Sequence, residues 1–554
     1  MKIQLRQNAS TGTSYSKQTP NYYQDDETYV YTEITEYLIS QKPKFRILST
    51  SNLEISSLPL RRSLFAHVPP FITFQRKEAS QQLPPEITRH LFWLVSKNSL
   101  ELIFSVVKKS GFSPTKKLNS NWCGTWWKET LVQHTKPFSK VNHFPSGSHF
   151  GNKIQLWKRI KKMQRKHGFK NFDFMPLSFV LPKELDSLRQ YTRQNGGCWI
   201  LKPPNSCAGE GISIISDLKK IPKKPLICQF YISIPKLING VKFDIRLYVL
   251  VTSIDPLRIY LYENGLVRFA TVKYLNNPTT FQNRFMHLTN TSVNKNSPNF
   301  IKNVNLNENK GSMWSMTYLW KYLGSECDVD TVWIWDRIKE IAVKTVISME
   351  SILVKNLKNW NSYNFYQLLG FDVILDGEFR PWLLEVNVFP SMETDTTLCG
   401  IVKGQLVEDF LNLVGYHVPD LLSEEELRVL NGIYEEKNIC FQGQIYSWGL
   451  TWEDGKKQYK FRKMAIRELY LKEILKRLTP ADAKVLIRHE DELTRTGRFE
   501  IIFPTKDSFR YFEFFEEVRY YNLLLDAWEN EYGEERKRGI ERLKKLCKRK
   551  YHLP

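Results

Sequence analysis

No apolar run in these 554 residues approaches the roughly 18 needed for a membrane helix; "LYVLV" at 247–251 stops at five. The opening "MKIQLRQNASTGTSYSKQTP" lacks the apolar core of a signal peptide. Neither secretion nor membrane insertion is expected, and a membrane is not expected as a partner. Cysteine is sparse and scattered, at 123, 198, 207, 228, 327, 399, 440 and 547. There is no Cys-x-x-Cys and no histidine pair at zinc spacing, so reduced thiols in a cytosolic protein are the expectation. Acidic residues are in deficit, 58 against 80 Lys and Arg, and the net charge of +22 implies attraction to something acidic. Charge alone does not choose among nucleic acid, anionic membrane and acidic protein. No zinc finger, recognition-helix pattern or RNP-like aromatic strand is present, so nucleic acid is not expected as the partner.

The chain is long enough for about two to four packed units. Residues 1–60 are rich in Ser, Thr, Gln, Asn and Tyr without a sustained period, as in a mobile polar tail. Residues 61–195 alternate short strand-like and helical runs and read as an N-terminal α/β lobe. Within it, 152–170 carries eight Lys or Arg and no acid, while Ile154, Trp157, Ile160 and Met163 recur every three residues. That pattern predicts an amphipathic helix with a basic outer face suited to anions. Residues 196–415 hold the strongest strand signals, with hairpins expected at Glu263-Asn264-Gly265 and Asp376-Gly377. An antiparallel-rich α+β core follows. Residues 416–554 read as a helical, basic C-terminal extension, in which Ile540, Leu543 and Cys547 seat one side of the last helix.

The chemistry concentrates between 196 and 415. In "RPWLLEVNVFP" (380–390), alternation puts Glu385 and Asn387 on one strand face and Leu384, Val386 and Val388 on the other. Asp372, on the partner strand before the Asp-Gly turn, lies close by. Two carboxylates and an amide on a covered face need a compensating cation. Their all-oxygen donor set points to a hard ion such as Mg²⁺ rather than zinc. In "VKFDIRLYV", Lys242, Asp244 and Arg246 share one face and Phe243, Ile245 and Leu247 the other. This is either a polyanion site or a surface ladder of little energetic consequence; Arg268 on the neighbouring strand favours the site. "WILKPPNSCAGEGISII" (199–215) adds Lys202 before a loop with Gly209 and Gly211, where backbone amides could approach phosphate oxygens. Together these groups describe a triphosphate with magnesium held between sheets.

"KFDIRLYVLVTSIDPLRIYLYENGLVRFATVKY", "FMHLTNTSVNK" and "GFDVILDGEFRPWLLEVNVFPS", with "VNHFPSG", "FDFMPLSFVLP" and "GRFEIIFPT", occur in an order that resembles the tubulin tyrosine ligase-like family, nearest its glutamylating branch. The resemblance covers roughly 60–533. It implies an ATP-grasp fold, with N-terminal, central and C-terminal lobes and the nucleotide between sheets. It also implies an ATP-dependent ligase that adds glutamate to tubulin C-terminal tails through an acyl phosphate. By the same resemblance, Lys202 touches nucleotide phosphates, Gln229, Tyr231 and Ile232 line the adenine pocket, and Lys242 and Asp244 hold adenine and ribose. Arg246, Arg268, Thr289 and Asn290 would face the phosphoryl and amino-acid substrates. Asp372, Glu385 and Asn387 would bind Mg²⁺. ATP and Mg²⁺ are the implied cofactors, and free L-glutamate and the acidic tails of tubulin in microtubules the implied partners. A monomer of the cytoplasm and cytoskeleton is expected, with a cilium or basal body as one such setting. The loop departs from the family pattern at Ala208, where an arginine is expected. Residue chemistry alone leaves open a catalytically weakened microtubule binder, glycine or tyrosine as the added amino acid, and a non-tubulin acidic acceptor.

Overall fold

Apolar side chains alternate along 241–254, and this run forms the longest strand among the described residues. The computed structural model describes residues 58–553 except 77–80, 96–100, 127–131, 304–310, 434–444, 446–448 and 465. The polar-tail expectation for 1–60 therefore lies outside the described residues but for its last three, as does Cys440. The described residues all fall within one compact unit.

Strands β1 (Leu60–Arg61) and β2 (Phe71–Ile72) pair as a small ribbon. Strands β3 (Phe92–Leu94), β4 (Ser113–Thr115), β5 (Trp122–Thr125) and β6 (Lys140–Val141) form a parallel sheet in the order β4-β3-β5-β6. A second, antiparallel sheet has β7 (Ser178–Leu181), β8 (Trp199–Lys202), β9 (Ser213–Ile215) and β10 (Leu226–Phe230) in the order β7-β10-β8-β9. The eight-stranded sheet contains β11 (Leu237–Ile238), β12 (Val241–Ile254), β13 (Leu257–Tyr262), β14 (Leu266–Phe269), β15 (Met313–Ser315), β16 (Gln367–Leu375), β17 (Pro381–Asn387) and β18 (Phe499–Phe503). β18 comes from the stretch read as a helical extension, yet it pairs with β13 and completes the sheet.

Both faces of the large sheet are covered. Phe243, Ile245, Leu247 and Val249 of β12, with Phe371 and Val373 of β16, pack beneath the helices Thr331–Leu357 and Lys153–His167. On the other face, Tyr248, Leu250, Tyr366 and Leu368 pack against the helix Thr397–Val414 and the parallel sheet. Farther toward the start of β12 this second face carries Lys242, Asp244 and Arg246 instead. The site is built where that apolar stripe gives way to charge.

The turn at 263–265 is not a hairpin. β13 and β14 run in the same direction along β12, pairing with 249–254 and 243–246, so the insertion interrupts one edge as a bulge. A Cβ on Gly265 would lie 2.4 Å from the Arg246 carbonyl oxygen, which accounts for glycine there. The hairpin at Asp376 is present, but as a five-residue loop closed by Leu375 opposite Pro381. The Asp376 carboxylate caps the amides of Glu378 and Arg380, and the left-handed conformation falls on Phe379 (φ 63°) rather than Gly377.

The basic helix spans Lys153–His167, N-capped by Asn152. Its buried stripe is Lys153, Leu156, Trp157, Ile160 and Met163, with Ile154 only half-buried. A spacing of three drifts off a face that repeats every 3.6 residues, so Leu156 replaces Ile154 and Lys153 is carried inside. The C-terminal helix Arg536–Lys548 buries Ile540, Leu543 and Cys547 as expected. It docks on the helices Pro480–Leu493 and Tyr520–Tyr532 through a core that includes Leu486, Leu524 and Trp528. Among the described residues, no helix is long and apolar enough to cross a membrane.

The bulge makes a prediction. Gly265→Ala forces the Arg246 backbone to move and should cost about 1–3 kcal/mol, as overpacking does. A thermal midpoint equal to that of the parent chain would show that the approach is not as close as described.

Candidate functional site

A cleft opens between the antiparallel sheet and the large sheet. Its first wall comes from β8 and β10 and the residues beside them, with Ile200, Lys202, Ile212, Gln229, Phe230, Tyr231 and Ile232. The second comes from β12, β16 and β17, with Lys242, Asp244, Asp372, Ile374, Leu384 and Glu385. His287, Leu288, Thr289 and Asn290 close the end. Strand register puts the charged groups side by side. Asp244 faces Arg268, Arg246 faces Asp372, and Asp372 faces Glu385, so one row of charge crosses β14, β12, β16 and β17.

The row is tightly paired. Arg268 forks onto Asp244, with Nε 2.8 Å from Oδ1, and its Nη2 also lies 2.9 Å from Asp372 Oδ2. Arg246 donates to both oxygens of Asp372, Nη2 to Oδ2 at 3.0 Å. Burial pushes the Asp372 carboxyl up, but Arg246 and Arg268 outweigh it and hold the group well below the usual carboxylate range. Asn387, opposite Gly370, donates its amide to Asp372 Oδ2 at 3.4 Å. Register thus brings Asp372, Glu385 and Asn387 side by side, with both Asp372 oxygens paired to Arg246 and Arg268 and Glu385 to Lys153, so side chains supply the compensating charge that the sequence pattern calls for. Among the described residues, no group of three His, Cys, Asp or Glu forms a metal cluster, and this trio has only two such side chains.

The lysines are different. Lys202 is buried, donating to Gln229 Oε1 at 2.6 Å and more weakly to the Leu384 carbonyl at 3.4 Å. Burial lowers its pKa to about 8, against a raising contribution from Glu385. Lys242 donates to the Tyr231 hydroxyl at 3.1 Å, and burial lowers its pKa to about 7. Tyr231 also meets His287 Nδ1 at 2.9 Å; burial and then Lys242 hold that imidazole at about 4, hence neutral at pH 7.

Most of the expected residues line the cleft. Arg246, Arg268 and Asn387 reach it through Asp244 and Asp372. Gly209 and Gly211 lie off its wall, with φ 76° and 65° in the loop between β8 and β9. That loop adjoins the cleft at Asn290, which a Cβ on Gly209 would approach to 3.2 Å, and Arg284 donates to the Gly209 carbonyl at 2.7 Å. Leu384 was expected on the core face with Val386. Instead a β-bulge between Leu383 and Glu385 turns it to the cleft, leaving Leu383 and Val386 in the core. Lys153 was counted with the basic outer face, yet its ammonium lies 3.0 Å from Glu385 and donates to the Ser206 carbonyl at 2.8 Å. Its position directly after an Asn cap, on the buried stripe at true helical spacing, was the available signal. His287 also lines the cleft, a role that the pattern "FMHLTN" does not signal.

Five cations, Lys153, Lys202, Lys242, Arg246 and Arg268, therefore meet three carboxylates, Asp244, Asp372 and Glu385. Isoleucine, leucine and aromatic side chains cover the rest of the cleft. Such a site suits a flat apolar group attached to a polyanion, with oxygen donors for a hard cation.

Cleft and sheets together define an ATP-grasp type domain, and comparison with known proteins agrees. The profile of the Tubulin-tyrosine ligase family matches residues 131–425. The chain is 36% identical over 537 residues to tubulin monoglutamylase TTLL4 of Homo sapiens, covering 93% of this chain and 45% of that protein. It is 35% identical over 514 residues to tubulin polyglutamylase ttll-4 of Caenorhabditis elegans, covering 89% and 80% respectively. It is also 34% identical over 449 residues to tubulin polyglutamylase TTLL5 of Mus musculus, covering 79% and 34%. The chain belongs to the tubulin-tyrosine ligase family. It spans less than half the length of the mammalian TTLL4 relatives it matches.

Two outcomes follow from the charge row. Arg268→Ala leaves Asp244 buried without its fork and should cost about 3–5 kcal/mol; Arg268→Lys, which keeps the charge, should recover part. Urea denaturation of both variants measures this, and equal loss in each would mean that charge is irrelevant. The second outcome concerns pH. Folding depresses the lysine pKa values, so between about pH 7 and 10 the unfolded chain binds more protons and stability should rise with pH. Lys242→Met should flatten that rise; an unchanged slope would remove Lys242 as its source.

Proposed function

We propose that this chain is an ATP-dependent ligase that joins glutamate to the γ-carboxylate of glutamates in tubulin C-terminal tails. The observation that carries the reading is the charge row crossing four strands beside an apolar cleft, in a chain about 35% identical to proteins named tubulin glutamylases.

Tyr231, Ile232 and Gln229 would receive the adenine, with Lys242 and Asp244 beside adenine and ribose. Lys202 would meet the phosphates. The carboxylates of Asp372 and Glu385 and the side-chain oxygen of Asn387 would hold Mg²⁺, and when bound the ion would supply charge neutralisation at the phosphates. Arg246, Arg268, Thr289 and Asn290 would hold the reacting carboxylate and the incoming amino acid. A carboxylate and an amine do not condense to useful extent in water, so ATP first phosphorylates the acceptor carboxylate. The amine of glutamate then displaces phosphate. Fixed cations offset the charge that develops on the transferring group, and no protein nucleophile is required. Lys153, by pairing with Glu385, would hold that carboxylate toward the cleft.

The acidic acceptor accords with the net charge of +22 and with the exposed lysines and arginines of the helix Lys153–His167. Attraction of that range raises encounter rates and weakens with salt. The test is incorporation of labelled glutamate into microtubules with ATP and Mg²⁺, with labelled glycine and tyrosine in parallel. Glutamate incorporation is expected, is expected to require the tubulin tails, and should fall by more than about 100-fold in Glu385→Gln, since even outer-shell partners of a metal are worth 10–100-fold. Incorporation of glycine or tyrosine instead would overturn the choice of substrate. Microtubule binding without incorporation would leave a binder rather than a ligase.

A further inference from the structure

A second concentration of positive charge is buried among residues that do not line the cleft. Lys140 on β6 is 2% exposed; its ammonium donates to the Tyr363 carbonyl at 3.1 Å and sits 3.5 Å from the centre of the Tyr363 ring. The Arg488 guanidinium lies 5.1 Å from the same ring centre, and its Nε is 3.5 Å from Glu492. Glu492 in turn has Oε2 3.1 Å from Nε of Arg258, which is 1% exposed. Arg495, also buried, acts electrostatically on both Lys140 and Glu492.

Three arginines and Lys140, whose pKa burial and these arginines lower, thus gather around Glu492. Asp491 offsets Arg495 while also accepting from the Ser63 hydroxyl at 2.6 Å and the Leu64 amide at 3.0 Å, which leaves Arg258, Arg488 and Lys140 to share Glu492. Glu492 Oε2 already accepts from the hydroxyls of Thr252 at 2.9 Å and Tyr260 at 3.0 Å. Arginine does not shed its proton in a protein, and an uncompensated buried charge costs several kcal/mol. Nη1 and Nη2 of Arg258 are buried with no hydrogen-bond partner among the described residues. Glu492 Oε1 is buried without a hydrogen-bond partner as well, but one oxygen does not satisfy both Arg258 Nη groups, and an acceptor carrying negative charge would do so.

We propose that Lys140, Arg258 and Arg488, with Arg495 behind them, form an internal anion site that holds a small phosphate-type oxyanion. Guanidinium forks match the paired oxygens of such an anion, and the lysine adds a point charge. The three side chains come from β6 of the parallel sheet, β13 of the large sheet and the helix Pro480–Leu493. A bound oxyanion therefore ties three layers of the fold together and stabilises the whole unit.

The test uses the full chain and inorganic phosphate at fixed ionic strength. A saturable rise in thermal midpoint at sub-millimolar phosphate is expected. Equilibrium dialysis of ³²P-labelled phosphate should show at least tenfold weaker binding in Lys140→Gln. Lys202→Ala, in the cleft, should leave that binding in place, which separates this site from the nucleotide cleft. Arg258→Gln is the stronger variant but risks the fold, so Lys140→Gln carries the decision. Any of three results would overturn the proposal: no saturable effect, phosphate binding lost in Lys202→Ala but kept in Lys140→Gln, or chloride as effective as phosphate at equal concentration.

Discussion

The register of four strands governs this molecule more than any other single constraint. Arg268 opposite Asp244, and Arg246 opposite Asp372 opposite Glu385, exist as a row only because β14, β12, β16 and β17 align in one way. A slip of one residue would send the row into the apolar face and the apolar face into the cleft. Phe243, Ile245, Leu247, Phe371 and Val373 oppose that slip, since each is buried under the helices of the opposite face. The core therefore fixes the site, and the charge pairs in turn penalise any other alignment, because each pair broken inside the protein leaves a bare charge behind.

Two irregularities adjust that register locally. The insertion at 263–265 lets β13 and β14 share one edge of β12, which frees the start of β12 to carry charge while its later half joins the second core. The bulge at Leu384 moves one apolar side chain from the core to the cleft and leaves the carbonyl of that residue facing Lys202. Bulges next to sites re-aim side chains in this way. β18 then closes the far side of the sheet from more than 200 residues downstream of its partner β13, so the C-terminal helices are structurally continuous with the sheet that carries the site.

Alternation along β12 was legible in the sequence, and with it the two faces and the charges Lys242, Asp244 and Arg246. The proximity of Asp372 to Glu385 was legible too, from the Asp-Gly loop between them. What could not be read was anything that breaks a strict period. Leu384 was assigned to the wrong face because a bulge leaves no mark in a pattern of period two. Glu263-Asn264-Gly265 carries the residues of a tight turn and was read as one, although here the glycine answers to the Arg246 carbonyl. Lys153 was missed because a stripe counted every three residues drifts from the helical face, and because a lysine among seven other basic residues looks solvated. The cluster around Arg258 left little signal, since Lys140, Arg258 and the helical pair Arg488–Glu492 lie far apart in the chain and come together only when three layers pack.

The two buried cation groups meet the same physical problem with different side chains. In the cleft, the permanently charged arginines are matched by Asp244 and Asp372, while the unmatched positions are lysines whose pKa values burial lowers to about 8 and 7. A lysine can relieve the cost of burial by giving up its proton and take it back when a polyanion arrives. The cleft can therefore stand empty without a large penalty, yet present full positive charge to a ligand. Around Glu492, three of the four basic side chains are arginines, which have no such relief, and Arg258 and Arg488 share that one carboxylate. A site built from lysines can open and close with its ligand, whereas one built from arginines is stable only while something negative stays in it.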